Sequence, residues 1–255
     1  MPGPTEQLDE FGLVVLPDAM SLDMLADLNA GIDRLFKEEG DSAGSEFKQE
    51  PGCQRLANLV NKGTVFTRVI TNKTALSYVA HVLGDYKLSS LNLRSVPPNG
   101  NFRQPLHADM GAIPDETGFW VCNVLWMLQD ITFENGPLRI VPGTHRSNRL
   151  PENVLADPFE DHADQVMITG NAGTAVVMNA HLWHGGMENR STQSRRTLHA
   201  FYCRRDKPQQ QYQKRLIDIA LQNAFTPNLR DLLALDDTEN DRISNRITNT
   251  SGFMK

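Results

Sequence analysis

The chain has 255 residues, 40% of them hydrophobic and 22% charged, a balance that suits a packed domain with a sizeable core and not a disordered segment. Acidic residues outnumber basic ones, 31 against 25, for a formal net charge of −6, and no basic block is present, which argues against a nucleic-acid partner. The longest apolar runs, at 12–16 and 121–128, are too short to span a bilayer, and the acidic opening at 1–10 lacks the basic and apolar regions of a secretory signal, so no membrane association and a cytoplasmic location are expected.

Three zones follow in chain order. The first, to about residue 88, reads as mostly helical. Residues 12–16 form a short buried strand, and a turn leads to Ser21, which is placed to cap a helix whose Leu22, Leu25, Leu28, Ile32 and Leu35 recur at spacings of three and four, to about Lys37. Residues 38–54 are polar and glycine-containing and read as a mobile loop. A second helix is predicted over 73–83, ending at Gly84. The second zone, about 86–205, carries short alternating strands at 88–96, 119–128, 173–178 and 197–202 without intervening helices, the pattern of a barrel or jelly roll. The third, from Pro208, is helical again, with one helix over 213–225 and a polar, frayed end over the last fifteen residues. One α+β domain over 1–255 is expected, a β core braced by helical flanks at 1–85 and 206–255.

Three cysteines, Cys53, Cys122 and Cys203, are too few and too widely spaced for a disulfide framework or a cysteine-based zinc site. The chemistry lies elsewhere. In Pro105-Leu-His-Ala-Asp-Met-Gly111, His107 and Asp109 stand two apart, so in extended backbone both side chains share a face and can act as neighbouring metal ligands. Alone the pair is a weak signal. Two histidines and one carboxylate on three corners of a metal, with three corners open, mark non-haem Fe(II) oxygenases. The second histidine is His181 or His184, both just beyond the strand that ends at Met178, and His184 is followed by two glycines that leave room beside a metal. A 2-oxo dicarboxylate also needs a cationic anchor, which the planar fork of arginine supplies best, and Arg195 and Arg196 lie downstream as they would if two adjacent antiparallel strands were joined by a loop.

These blocks resemble the phytanoyl-CoA dioxygenase family. Pro105-Leu-His-Ala-Asp109, Asp130-Ile-Thr-Phe-Glu-Asn-Gly-Pro-Leu-Arg-Ile-Val-Pro-Gly-Thr-His145 and His184-Gly-Gly-Met-Glu-Asn-Arg-Ser-Thr-Gln-Ser-Arg195 carry the likeness, which covers about residues 8–205. It implies a double-stranded β-helix (jelly roll), Fe(II), and 2-oxoglutarate and O2 as co-substrates, with succinate and CO2 released and a small organic molecule oxidised, by hydroxylation in the simplest case. His107 and Asp109 match the family's proximal ligands, His184 the distal ligand, and Arg195, eleven residues on, the anchor for 2-oxoglutarate. Asn92 matches a position where the family places a polar contact to 2-oxoglutarate. Because Asp109 is a carboxylate, halogenation is disfavoured. Desaturation, epimerisation or rearrangement at the same site, and a metal-binding jelly roll that is not an oxygenase, are the alternatives.

Other polar residues have plainer readings. His145 fixes a loop, His181 packs or bonds at a rim, His199 is a satisfied core histidine, and His81 and His162 lie on the surface. Arg196 points away from Arg195, towards solvent or a salt bridge. Asn123 and Trp126 share a strand that faces the cavity at alternate residues, Trp126 in a packing role. Asn189 and Ser191 shape the loop before Arg195, and the Asn249-Thr-Ser251 sequon carries no weight without a signal peptide. Substrate choice falls to residues 38–54, 115–118 and 151–164 and to the C-terminal helices. The absence of a dedicated basic patch favours a metabolite that is not a coenzyme A thioester. The oligomeric state is left between monomer and homodimer.

Overall fold

Alternation along the long strands organises the molecule. The computed structural model describes residues 2–48 and 50–245, so the sequon and most of the polar tail lie outside the described residues. Helix α1 (Pro4–Phe11) leads into β1 (Leu13–Leu16) and α2 (Leu22–Glu39). Then come β2 (Gln54–Leu56), α3 (Thr64–Ile70), α4 (Lys73–Leu83), β3 (Tyr86–Val96) and β4 (Val121–Met127). Strands β5 (Leu138–Ile140), β6 (Val166–Ile168), β7 (Ala175–Asn179), β8 (His184–Gly186) and β9 (Arg195–Arg204) complete the β region. Four short helices, α5 (Gln213–Leu216), α6 (Ile219–Ala224), α7 (Pro227–Leu232) and α8 (Thr238–Ser244), follow.

The strands make two antiparallel sheets, one ordered β1-β7-β4-β9-β3-β2 and one ordered β6-β5-β8. In β4, Cys122, Val124 and Trp126 face a core shared with Leu28 and Ile32 of α2, Phe66 of α3 and Val79 of α4. The intervening Leu125 and Met127 face the other way, onto Ile140 of β5 and Ile168 of β6. One face of the large sheet is thus sealed by helices and the other packs on the small sheet, as period-two alternation requires. β3 keeps this division through a register shift between Leu88 and Ser90, which lets Leu88 and Leu91, three apart, both reach the helix side.

The helix ends follow local chemistry. Ser21 Oγ accepts the N–H of Met24, and Asn72 Oδ1 accepts that of Ala75. Gly84 ends α4 with φ of 70°, a conformation that suits glycine.

Several expectations need correction. Residues 38–54 are not a featureless loop: α2 continues to Glu39, a 3₁₀ turn follows over Gly40–Ser42, Phe47 is buried, and β2 begins at Gln54. The helix expected over 213–225 is two helices. Ile217 is extended (φ −94°, ψ 132°) and buried, and the backbone groups freed by the break are taken up by Asn58 Nδ2, which donates to Leu216 O, and Asn61 Oδ1, which accepts from Asp218 N. Burying Ile217 and satisfying those groups outweighs helix continuation. Helices α1 and α3 and strands β2, β5, β6 and β8 were not anticipated, being too short to show a period. His184 and Arg195 do not lie on adjacent strands, because β8 pairs with β5 whereas β9 pairs with β3 and β4. The connection between the sheets is tied by Asn189 Nδ2, which donates to Val96 O, Pro97 O and Gln193 O.

Candidate metal centre and cavity

Two distant segments are zipped together by backbone bonds at the site. His107 N donates to His184 O and His184 N to His107 O, both at 2.9 Å, while Asp109 N donates to Ala180 O. Asp109 opens a 3₁₀ turn, and Met110 beside it has φ of 60°, which swings the carboxylate in beside His107. The result is a cluster of His107, Asp109 and His184 in which one ligand atom from each lies within 4.8 Å of the others. Asp109 Oδ1 is 3.6 Å from His184 Nε2 and 3.8 Å from His107 Nε2, too long for hydrogen bonds and open enough to admit an ion.

The outer bonds prepare these atoms for a metal. His107 Nδ1 contacts Pro105 O at 3.0 Å and His184 Nδ1 contacts Leu182 O at 2.7 Å. A carbonyl can only accept, so each Nδ1 carries the proton and each Nε2 keeps its lone pair for a ligand. Asn123 Nδ2 donates to Asp109 Oδ2, leaving Oδ1 turned to the imidazoles. Burial disfavours the Asp109 carboxylate, but His184, His107 and Asn123 outweigh it and hold the group well below the usual carboxylate range. Burial, reinforced by His184, pushes His107 down to about 4. Burial also opposes charge on His184, yet Asp109 prevails and raises it. An anionic carboxylate with two directed imidazole lone pairs is a fitting donor set for Fe(II).

The cluster opens on a cavity of about 440 Å³. Strand register lays the floor of this cavity and of a small adjoining chamber out in rows: Arg94, Thr197 and Met127, then Asn92, His199 and Leu125, then Ser90, Phe201 and Asn123, with Thr197 and Met127 on the chamber side. Asn92 is buried with no hydrogen-bond partner for its Oδ1. His199 is on this floor, not in the core: its Nε2 lies 3.1 Å from Thr197 Oγ1, and burial with Arg94 and Arg55 keeps it far below its ordinary pKa.

Arg195 lines the adjoining chamber, 6% exposed, with Nη1 3.5 Å from Thr197 Oγ1 and no partner for Nε. Among the described residues no carboxylate pairs with it. Burial, helped by Arg94, pushes it down to about 9, so it is still a cation at neutral pH. A buried cation without an anion is an arrangement that an anionic ligand completes. Arg196 points outward, pairs with Asp33 at 2.7 Å and lies over the Phe36 ring.

His181 is outside the cluster. Its Nδ1 meets Asn179 Oδ1 at 2.8 Å and its ring packs on Phe119 and Trp120. His145 Nε2 meets Asp9 O, bracing α1. The glycines after His184 do not make room for a metal. A Cβ at Gly185 would stand 2.9 Å from Pro105 O and one at Gly186 3.1 Å from Gln104 Oε1, so they admit the neighbouring segment. Thr197, Arg94 and Gln104 were not singled out in the sequence and His199 was read as a core histidine; the period-two placing of Asn92 with Arg94, and of Arg195 with Thr197 and His199, was the available signal.

The family model for phytanoyl-CoA dioxygenase (PhyH) matches residues 8–197. The chain belongs to the phytanoyl-CoA dioxygenase family. This family member is a dioxygenase. It is 28% identical over 247 residues to dioxygenase af480 of Aspergillus fumigatus, covering 89% of this chain and 75% of that one. Its jelly-roll fold is shared with the non-haem α-ketoglutarate-dependent carbocyclase SnoK from nogalamycin biosynthesis (TM-score 0.64, 19% identity, 80% of this chain and 84% of that one). EctD from S. alaskensis, solved with bound Fe, is similar as well (TM-score 0.64, 21% identity, 78% and 75%). Among the described residues no helix is long and apolar enough to cross a membrane.

Proposed function

We propose that this dioxygenase holds Fe(II) on His107, Asp109 and His184, binds the far carboxylate of 2-oxoglutarate on Arg195, and hydroxylates a small organic molecule in the cavity beside Asn92, acting as a single domain. One arrangement carries the reading: a partly buried cluster with two directed imidazole lone pairs and a carboxylate opens on a cavity that shares Arg94, Leu125, Leu138 and His199 with a small chamber lined by a buried arginine, which pairs with no carboxylate among the described residues. Bound iron, with 2-oxoglutarate and O2, supplies oxidising power sufficient for a C–H bond. The chain does the rest. Asn123 orients Asp109, the carbonyls of Pro105 and Leu182 fix the imidazole tautomers, and Arg195 with Thr197 orients the co-substrate. Asn92 touches the bound co-substrate from the middle row of the floor. Phe47, Glu50 and Arg55 line the same cavity. Anaerobic titration of the metal-free protein with Fe(II) and then 2-oxoglutarate tests this: a weak visible charge-transfer band is expected, lost in Asp109→Ala and His184→Ala. Iron binding with no band would point to a metal protein that does not chelate the co-substrate. Product analysis then separates hydroxylation from desaturation, epimerisation or ring closure.

A further inference from the structure

A small chamber opens off the main cavity at the Arg195 end. Apolar side chains, Leu125 and Leu138 among them, wall it, and four polar ones enter it: Arg94, Arg195, Thr197 and His199. Arg94 stands directly across from Thr197 in the β3–β9 pairing, and Thr197 Oγ1 is 3.5 Å from Arg195 Nη1. Two arginines therefore line one chamber, and Arg195 is the one in contact with the Thr197 hydroxyl.

Arg94 is held in place from two sides. Its Nη1 donates to Gln104 Oε1 at 2.9 Å, and that same oxygen accepts the N–H of Gly186, two residues beyond His184. Its Nη2 pairs with Glu50 at 2.9 Å, and its buried Nε has no partner. Glu50 is shared, since Arg55 pairs with it at 2.6 Å. Among the described residues Glu50 is the one carboxylate that pairs with Arg94 or Arg55, and none pairs with Arg195, so three guanidiniums share one paired carboxylate in a largely buried region. A buried guanidinium surplus beside an apolar recess fits a ligand with methylenes and a terminal carboxylate.

We infer that Arg94 is a second co-substrate-binding group, which, oriented by Gln104 and Glu50, holds the far carboxylate of the 2-oxo acid together with Arg195. This rests on the reading that 2-oxoglutarate occupies the site. It makes Arg94 a specificity determinant for the dicarboxylate.

The test uses the full-length Fe(II)-loaded chain under anaerobic conditions, with the visible band as readout. Two probes are titrated: 2-oxoglutarate, and 2-oxopentanoate, which keeps the chelating end and has a methyl group where the far carboxylate stood. Arg94→Gln is expected to raise half-saturation for 2-oxoglutarate about tenfold or more, the low end for a charged hydrogen bond, and to leave 2-oxopentanoate unchanged. Glu50→Gln is expected to weaken 2-oxoglutarate binding less than Arg94→Gln does, because Gln104 still orients Arg94. Should Arg94→Gln not fold, Arg94→Lys replaces it, with a smaller loss confined to 2-oxoglutarate. Equal weakening of both acids by the Arg94 variant, no weakening of either, or a Glu50→Gln that copies the Arg94 loss would overturn the inference and leave Arg94 a structural tie. Absence of the band in the wild type with 2-oxoglutarate overturns the underlying reading instead, a result distinct from any difference between variants.

Discussion

Replacing Arg195 by Gln should weaken co-substrate binding and stabilise the empty protein at the same time. The folded chain buries this guanidinium to 6% exposure with no carboxylate paired to it among the described residues, and burial with Arg94 pushes its pKa down to about 9. Without ligand the charge is therefore a cost, and glutamine removes it, so the melting temperature of the empty variant should rise by about 2–4 °C for each kcal/mol relieved in a chain of this size. With ligand the sign reverses. A lost charged hydrogen bond of about 1.5–3 kcal/mol raises the dissociation constant roughly ten- to hundredfold. At a 2-oxoglutarate concentration about one hundred times the wild-type Kd, the iron-loaded wild type gains about 2.7 kcal/mol of stability, and the variant only about 0.4–1.4 kcal/mol. Calorimetry with and without 2-oxoglutarate reads both numbers. A variant whose empty form melts lower and whose ligand-induced shift equals that of the wild type would refute the anchor assignment. If Arg196→Gln shows the loss instead, the register is one residue off; its pairing with Asp33 predicts that it will not.

Asp109→Ala and His184→Ala should each abolish iron binding near stoichiometric concentrations while keeping the far-ultraviolet dichroism of the wild type; retained iron in both would sink the ligand set. Glu50 gives a pH prediction. Burial raises its pKa, but Arg94 and Arg55 outweigh burial and hold it at about 2, below its ordinary 4.5. A depressed carboxylate adds stability above the unfolded value and loses it as pH falls from about 4.5 towards 2. Urea midpoints at pH 7 and pH 3 should therefore show a wild-type loss exceeding that of Glu50→Gln by on the order of 2 kcal/mol; equal losses would remove Glu50 from the account. Tyr202→Phe deletes a buried hydrogen bond to Ile70 O at 3.2 Å and should cost about 1 kcal/mol in denaturant unfolding with no change in 2-oxoglutarate affinity.

Much of the helical and strand content was legible because it is local. The Leu22-to-Leu35 spacing, the Ser21 cap, the Gly84 stop and the strands at 88–96 and 119–128 each announce themselves within a dozen residues. The three-residue strands β2, β5, β6 and β8 did not, since a stretch of that length has no period to read and exists only by pairing with a partner far along the chain. The break at Ile217 was hidden for a similar reason, since its backbone partners are Asn58 and Asn61.

The candidate site divides along the same line. Residue types and spacing alone single out His107 with Asp109, narrow the distant histidine to His181 or His184, and narrow the anchor to Arg195 or Arg196, because ligand chemistry restricts which side chains can serve and short spacings restrict which can meet. Tertiary structure decided the rest. Reciprocal backbone bonds bring His184, not His181, to His107, and cross-strand register puts Asn92, Arg94, Thr197 and His199 on one floor. It also gave the outward-facing Arg196 its partner Asp33 and joined Arg55 and Arg94 around the Glu50 carboxylate. Which faces meet is set by sheet pairing between segments tens of residues apart, and a one-residue change of register would exchange the floor for the opposite face, so no local pattern could carry that information.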